Sequence, residues 1–229
     1  MNKGTIYLSG GMEKAIENGM QWRRQISWNL RSLGYQPLDI AALDNEYIKV
    51  HGAVYDGKGS TSSLSSVQKL QNKSNIRRQF IYTDLKLITD LSDAVIAYYD
   101  QSFKDGAGSF AECQCAYDNE KPLFVVSALE HVPSWLTSLS TKLFDDFDEL
   151  YHYLEQLPAG ILNCDRYGNH SSSNQYLCFL CGEVFEKKKH HFVSKVSPLY
   201  CKSCVDIVMA TREQHADRYE FISSFINQE

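Results

Sequence analysis

The chain has 229 residues, enough for one sizeable domain or a medium domain with a small appendage. Hydrophobic residues at 43% and aromatics at 12% imply a globular core, and a formal net charge of -5 gives no general support to nucleic-acid binding. The apolar runs fall far below the ~20 residues of a membrane span. The opening MNKGTIYLSGG has no apolar core followed by a small-residue cleavage site, so no secretory leader is expected.

Thr5 to Leu8 is a short apolar run ending at Ser9-Gly10-Gly11, which reads as a buried first strand with a tight turn after it. From about Glu13 to Leu33 apolar residues recur at helical spacing, and Gly34 follows as a C-cap. Tyr35 to Leu38 reads as a second strand. Residues 57–66, GKGSTSSLSS, read as a mobile loop, with a lid over a pocket as one use for it. A helical pattern from Ile76 to Leu91 leads to Ser92-Asp93 and the buried strand Ala94 to Tyr99. A helix over about 109–119, a strand from Leu123 to Val126 and a helix from about Asp145 to Leu157 complete this part. Strands alternating with helices predict an α/β fold, a doubly wound parallel sheet of flavodoxin-like or Rossmann-like type. Ligands in such sheets bind outside the carboxyl ends of the strands. That places Ser9, Gly10 and Gly11, the segment Asp100 to Ser109, and the residues after Leu38 among the candidates.

Near Pro158 the character changes, dividing the chain into residues 1–158 and a C-terminal unit, 159–229. Four of the seven cysteines form two C-x-x-C pairs, Cys178 with Cys181 and Cys201 with Cys204. The spacing between the pairs matches a four-thiolate site, favours metal over disulfides, and suits a reducing, cytoplasmic setting. Four protein ligands fill a tetrahedral zinc, so the expected ion is structural, in a small zinc-ribbon-like unit followed by a terminal helix from about Val205. His190 and His191 lie between the pairs as alternative ligands, and Lys187-Lys-Lys-His-His191 reads as a solvated hairpin tip or a phosphate contact. No organic cofactor is expected.

The stretch Asp105-Gly-Ala-Gly-Ser-Phe-Ala-Glu112 has two readings. Ser109-x-x-Glu112 is the pattern of a capping box, with Ser109 as N-cap. The glycines before it let backbone amides approach an anionic or hydroxyl-rich ligand. Asp84 and Asp93, taken alone, read as a solvated helix residue and a turn residue. Cys113 and Cys115 read as packing residues, with a thiol nucleophile as the lesser alternative.

From Lys3 to about Val126 the chain resembles the nucleoside 2-deoxyribosyltransferase-like family, which includes 2'-deoxynucleoside 5'-monophosphate N-glycosidases. The resemblance rests on Thr5-Ile-Tyr-Leu-Ser-Gly-Gly-Met12, Tyr35 to Asp39, Thr83-Asp-Leu85, Leu91-Ser-Asp-Ala-Val-Ile-Ala97, Gly108-Ser-Phe-Ala-Glu112, Ala116-Tyr117 and Lys121-Pro122. It implies a glutamate nucleophile, Glu112, that attacks C1' of a (deoxy)ribosyl group and leaves a covalent glycosyl-enzyme ester. Asp84 matches the acid that protonates the leaving base, and Tyr7 matches a tyrosine that orients the nucleophile. Asp93 matches a frequent acid at the start of the strand, a substrate contact or a structural group. The family's aspartate for the sugar 5'-hydroxyl lies six residues before the nucleophile, where this chain has Gly106. Either Asp105 reaches in, or the 5' position carries phosphate, received by Gly106, Gly108, Ser109 and the helix N-terminus with help from Arg77 or Arg78. The expected partner is a small nucleoside or nucleotide, with nucleic acid not favoured and no membrane. The family's sites are often completed by a neighbouring subunit, which implies a homo-oligomer. The alternative is a nucleotide-binding sensor or nucleic-acid-associated module that uses the same pocket and recruits a partner through the zinc unit.

Overall fold

The computed structural model describes residues 2–12, 15–43, 46, 67, 78, 80–162, 175–186, 190–191, 200–207 and 210–211. Arg77, the loop 57–66, Lys187 to Lys189 and most of the terminal helix expected from Val205 lie outside them.

Two runs of apolar residues set the centre of the sheet. Ala94–Tyr99 and Leu123–Ser127 are strands whose residues are almost all buried, which a parallel strand needs when helices cover both its faces. In chain order the elements are β1 (Thr5–Gly10), α1 (Met20–Ser32), β2 (Gln36–Leu38), and α2, helical over 80–86 and passing into a π turn, Leu87–Leu91. Then come β3 (Ala94–Tyr99), α3 (Gln101–Lys104), α4 (Ala107–Asp118) and β4 (Leu123–Ser127). They are followed by α5 (Ser134–Leu139), β5 (Lys142–Phe144) and α6 (Phe147–Gln156). The five strands pair in the order β2-β1-β3-β4-β5, all parallel. The fold is therefore α/β, as the sequence implied. The strand β5 and the short helices α3 and α5 are additions to the expected elements.

Alternation along each strand sorts the core into two layers. Ile6, Leu8, Ile96, Phe124 and Val126 face α1 and α6 through Ile26, Leu30, Leu150 and Leu154. Tyr7, Val95, Ala97, Tyr99, Leu123 and Val125 face the π turn, α3, α4 and α5 through Ile88, Phe103, Cys113 and Leu136. The strand order reverses direction between β1 and β3, and the crevice opens there at their carboxyl ends. The amino ends are stitched shut by polar contacts. Asp93 Oδ2 accepts the Thr5 amide at 2.7 Å, Lys121 Nζ donates to the Ser92 carbonyl at 2.7 Å, and Thr141 Oγ1 accepts the Leu123 amide at 3.0 Å.

The C-terminal residues lie against this frame. Ile161, Leu162 and Leu177 join the core layer of α6. Tyr153 donates its hydroxyl to the Gly182 carbonyl at 2.6 Å, and Tyr117 of α4 lies 5.8 Å from Phe179, centroid to centroid. Two short antiparallel pairs follow, β6 (Gln175–Leu177) with β7 (Val184–Glu186), and β8 (His190–His191) with β9 (Tyr200–Cys201).

The glycines at the end of β1, Gly10 in its last position and Gly11 just after, are there because helices press on the backbone. A Cβ on Gly10 would lie 2.5 Å from Trp22 Cζ2, and one on Gly11 would overlap the backbone and side chain of Ser102. Gly108 has nothing within 4 Å of the same position and lies in a helix. Gly11→Ala should therefore lose ~1–3 kcal/mol by overpacking, whereas Gly108→Ala should gain ~0.5–1 kcal/mol through helix propensity. Urea denaturation of the two variants against the parent chain checks both signs.

Candidate active site at the carboxyl edge of the sheet

Residues two apart on a strand share a face. On β1 this puts Tyr7 and Ser9 together, both fully buried, on the side covered by α4. The helix α4 begins at Ala107 with Gly106 as its N-cap, extended at φ −111 and ψ 133, and no side chain caps it. Ser109 is thus buried within the first turn and Glu112 lies in the second. The capping-box reading of Ser109 and Glu112 does not hold, because the N-cap is Gly106, three residues before Ser109. Turned inward instead, Glu112 Oε1 accepts the Tyr7 hydroxyl at 2.9 Å and Oε2 accepts Ser9 Oγ at 2.5 Å. One hydrogen bond to each oxygen fixes the plane of the carboxylate and leaves further lone pairs for a ligand.

The electrostatics of this group are balanced between opposing effects. Burial pushes the Glu112 carboxyl above its usual range. The hydrogen bonds from Ser9 and Tyr7, and the positive charge of Arg23, pull it back. Tyr7 is held well above its ordinary value, first by burial and then by the negative charges of Glu112 and Asp84. The phenol therefore stays protonated and remains a donor to Glu112. Asp84, half-buried on α2, is close enough for its charge to act on Tyr7. Tyr7, Ser9 and Glu112 thus meet at the β1 end of the crevice, with Asp84 within electrostatic range of Tyr7.

Other expected site residues lie elsewhere or do other work. Asp93 is at the opposite, amino edge of the sheet, where it holds Thr5, so it does not join the carboxyl-edge group. A residue that precedes a parallel strand cannot reach the crevice at the strand's far end. Asp105 is exposed and accepts Gln101 Nε2 at 3.1 Å. Gly106 caps α4, and Gly10 and Gly11 are packing positions. Asp100, the first residue after β3, caps α3 by accepting the Phe103 amide at 2.8 Å and Ser102 Oγ at 2.7 Å. Cys113 is fully buried and its thiol is pushed far up by burial, which leaves it a packing group without a thiolate.

Arg23 was not among the expected site residues. It is 1% exposed, donates Nη2 to the Gly10 carbonyl at 2.8 Å and Nη1 to the Gly19 carbonyl at 3.2 Å, and lies 4.0 Å from Asp39 Oδ1. The signal for it was present in the helix pattern. Arg23, Ile26, Ser27 and Leu30 form one buried stripe of α1, so a charge occupies a core position.

The four cysteines of the C-terminal unit form a second cluster. All four sulfurs lie within 4.8 Å of one another, and Cys181 Sγ and Cys201 Sγ are 3.7 Å apart. Tetrahedral ligands at ~2.3 Å from a zinc would be about 3.8 Å apart. The Cys201 amide donates to Cys178 Sγ at 3.3 Å, a bond that stabilises a thiolate. Among the described residues these cysteines are the group suited to a metal ion.

The chain matches no protein-family model and no curated protein sequence. Among solved structures it is similar to a 2-deoxyribosyltransferase from the psychrotolerant bacterium Bacillus psychrosaccharolyticus, at 17% identity and a TM-score of 0.47. The match covers 65% of this chain and 91% of that one. The class defined by the coordinates is a doubly wound α/β protein with a paired-donor carboxylate at its switch point. Among the described residues no helix is long and apolar enough to cross a membrane.

Because burial raises the Glu112 carboxyl above its unfolded value, ionising it costs folding free energy. The native state has its full advantage below the unfolded pKa and loses it as pH rises through the folded one. Glu112→Gln should therefore melt at a higher temperature than the parent at pH 8, with the difference gone near pH 4. Paired thermal melts across that range check the sign.

Proposed function

We propose that the chain cleaves or exchanges the N-glycosidic bond of a nucleoside or nucleoside 5'-monophosphate, as an enzyme of nucleoside 2-deoxyribosyltransferase-like type. The observation that carries this reading is the grip on Glu112, one oxygen by Tyr7 and the other by Ser9, at the sheet's switch point. An aimed, partly desolvated carboxylate suits attack on an electron-poor carbon such as C1'. In the first step a Glu112 oxygen bonds to C1' as the C1'–N bond breaks, and the electron pair leaves with the base. Asp84 supplies the proton that the departing nitrogen takes up. In the second step water, or the nitrogen of another base, attacks C1' and gives its proton to Asp84, as the C1'–O bond breaks and Glu112 leaves as a carboxylate. Water gives hydrolysis, and a base gives transfer. Tyr7 and Ser9 stabilise the carboxylate before attack and again as it is released.

In this reading residues 1–158 carry the chemistry, and 159–229 are an extension stapled by zinc on Cys178, Cys181, Cys201 and Cys204. Four thiolates leave the ion no open position, so its contribution is to folding. The nucleotide form of the substrate is supported by the absence of an aspartate at Gly106 and by the exposure of Asp105.

The test is incubation with a panel of nucleosides and 5'-monophosphates, with and without a second free base. Chromatography then separates free base, sugar or sugar phosphate, and exchanged product. Glu112→Ala should lose turnover to background and Asp84→Asn should lose ~10²–10⁴-fold. Undiminished turnover in Glu112→Ala would remove the nucleophile assignment. For the metal, native mass spectrometry should find one zinc per chain. Cys178→Ser should lose that mass and lower the melting temperature, and a chain that holds no zinc but melts unchanged would contradict the staple.

A further inference from the structure

We infer that Arg23 is the positioning residue of this site. Its guanidinium ties the carboxyl end of β1, which carries Ser9, to the turn before α1 and sets a buried positive charge behind the site, with Asp39 as its counter-ion. The inference rests on the reading of Glu112 as the reacting carboxylate.

The argument begins with cost. Arg23 lies on the apolar stripe of α1 and is 1% exposed. Burying a guanidinium costs several kcal/mol unless it is paired and hydrogen-bonded, and a methionine would fill the same stripe without that cost. The compensation comes from four directions. The Gly10 carbonyl, directly after Ser9, accepts Nη2 at 2.8 Å, and the Gly19 carbonyl accepts Nη1 at 3.2 Å. Asp39 Oδ1, at the carboxyl end of β2, is 4.0 Å from Nε. The guanidinium carbon lies 4.5 Å from the centroid of the Trp22 ring. Gly19 is fitted to this arrangement. It has φ +70, and a Cβ there would lie 2.5 Å from Arg23 Nη1 and 2.6 Å from the Gly11 carbonyl oxygen.

Arg23 therefore fastens the strand end that carries Ser9, one of the two donors to Glu112. Its charge also reaches the carboxylate. The groups acting on Glu112 are Tyr7 and Ser9 from β1 and Arg23 from α1, while Glu112 itself acts on the thiols of Cys113 and Cys115 on its own helix; Asp84 from α2 acts on Tyr7, and Asp39 and Asp100 act on Arg23. Among the described residues Arg23 is the cation of this set. It offsets part of the burial that pushes Glu112 upward. Asp39 also accepts the Ala42 amide at 3.2 Å through Oδ1, a bond that an asparagine would keep while losing the charge.

Two substitutions should therefore shift the site in opposite directions. The experiment uses the full chain, with Arg23→Met, Arg23→Lys and Asp39→Asn. One readout is the pH profile of kcat/KM on the best substrate of the panel. The other is the carboxyl titration of Glu112 by carbon NMR, assigned with Glu112→Gln. Arg23→Met should move the acid limb and the titration up by about one pH unit, a roughly tenfold loss of kcat/KM on the acid side. Arg23→Lys should restore part of the shift, and Asp39→Asn should move both readouts down. A folded Arg23→Met with an unmoved titration overturns the inference, as does a shift of the same sign in Arg23→Met and Asp39→Asn. If Arg23→Met does not fold, Asp39→Asn decides alone: a downward shift supports the inference, and no shift or an upward one overturns it. If no nucleoside is turned over, the proposed reaction fails, but the titration still reads the Arg23 effect.

Discussion

A carboxylate held between a central strand and a covering helix is the constraint around which this fold is arranged. Most neighbours in that layer are apolar, and a bare charge placed there would be expelled or protonated. Two hydroxyls and a guanidinium offset the cost, and each comes from a different requirement of the backbone. Tyr7 and Ser9 reach Glu112 because strand alternation places them on the α4 side. Arg23 reaches the same region because α1 crosses the other side of β1 and its first turn passes the strand's end. The parallel sheet makes this possible, since its carboxyl ends collect side chains from several elements at one edge.

The two edges of the sheet divide the polar work. At the amino edge Asp93, Lys121 and Thr141 bond to backbone groups and close the ends of strands. At the carboxyl edge Tyr7 and Ser9 bond a carboxylate that keeps unused lone pairs, and Arg23 braces the strand end behind it. A polar residue at the first edge finishes structure, and one at the second is open to chemistry. Asp93 and Asp84 show how little sequence distance says about this. They are separated by less than one strand-helix unit, yet one holds Thr5 and the other bears on Tyr7.

Much of this architecture was legible in the sequence. Ala94 to Tyr99 and Leu123 to Val126 read as buried strands because both faces of each are apolar, and Gly34 marked the end of α1. The strand β5 was not legible, since three residues, Lys142–Phe144, carry no periodicity, and their pairing with β4 is a tertiary fact. The start of α4 was misplaced because Ser109 fits an N-cap by residue type, while the chain uses Gly106 after a bend closed by the Gly106 amide on the Phe103 carbonyl. The pairing of Glu112 with Tyr7 depended on strand phase, and in the sequence it was expected only through a resemblance. Ser9 was named, but its bond to Glu112 needed coordinates. Arg23 was overlooked because a Trp-Arg-Arg run reads as helix surface until its phase is compared with Ile26 and Leu30.

The helix α4 carries Glu112 in its second turn and Tyr117 in its last, and Tyr117 meets Phe179 between the cysteines of the first C-x-x-C pair. The carboxylate and the loop of the first cysteine pair are thus tied to one short rod. Residues after 158 therefore pack against the same helix that carries the carboxylate. A lineage that shed the extension would need to brace the far end of that helix by another means.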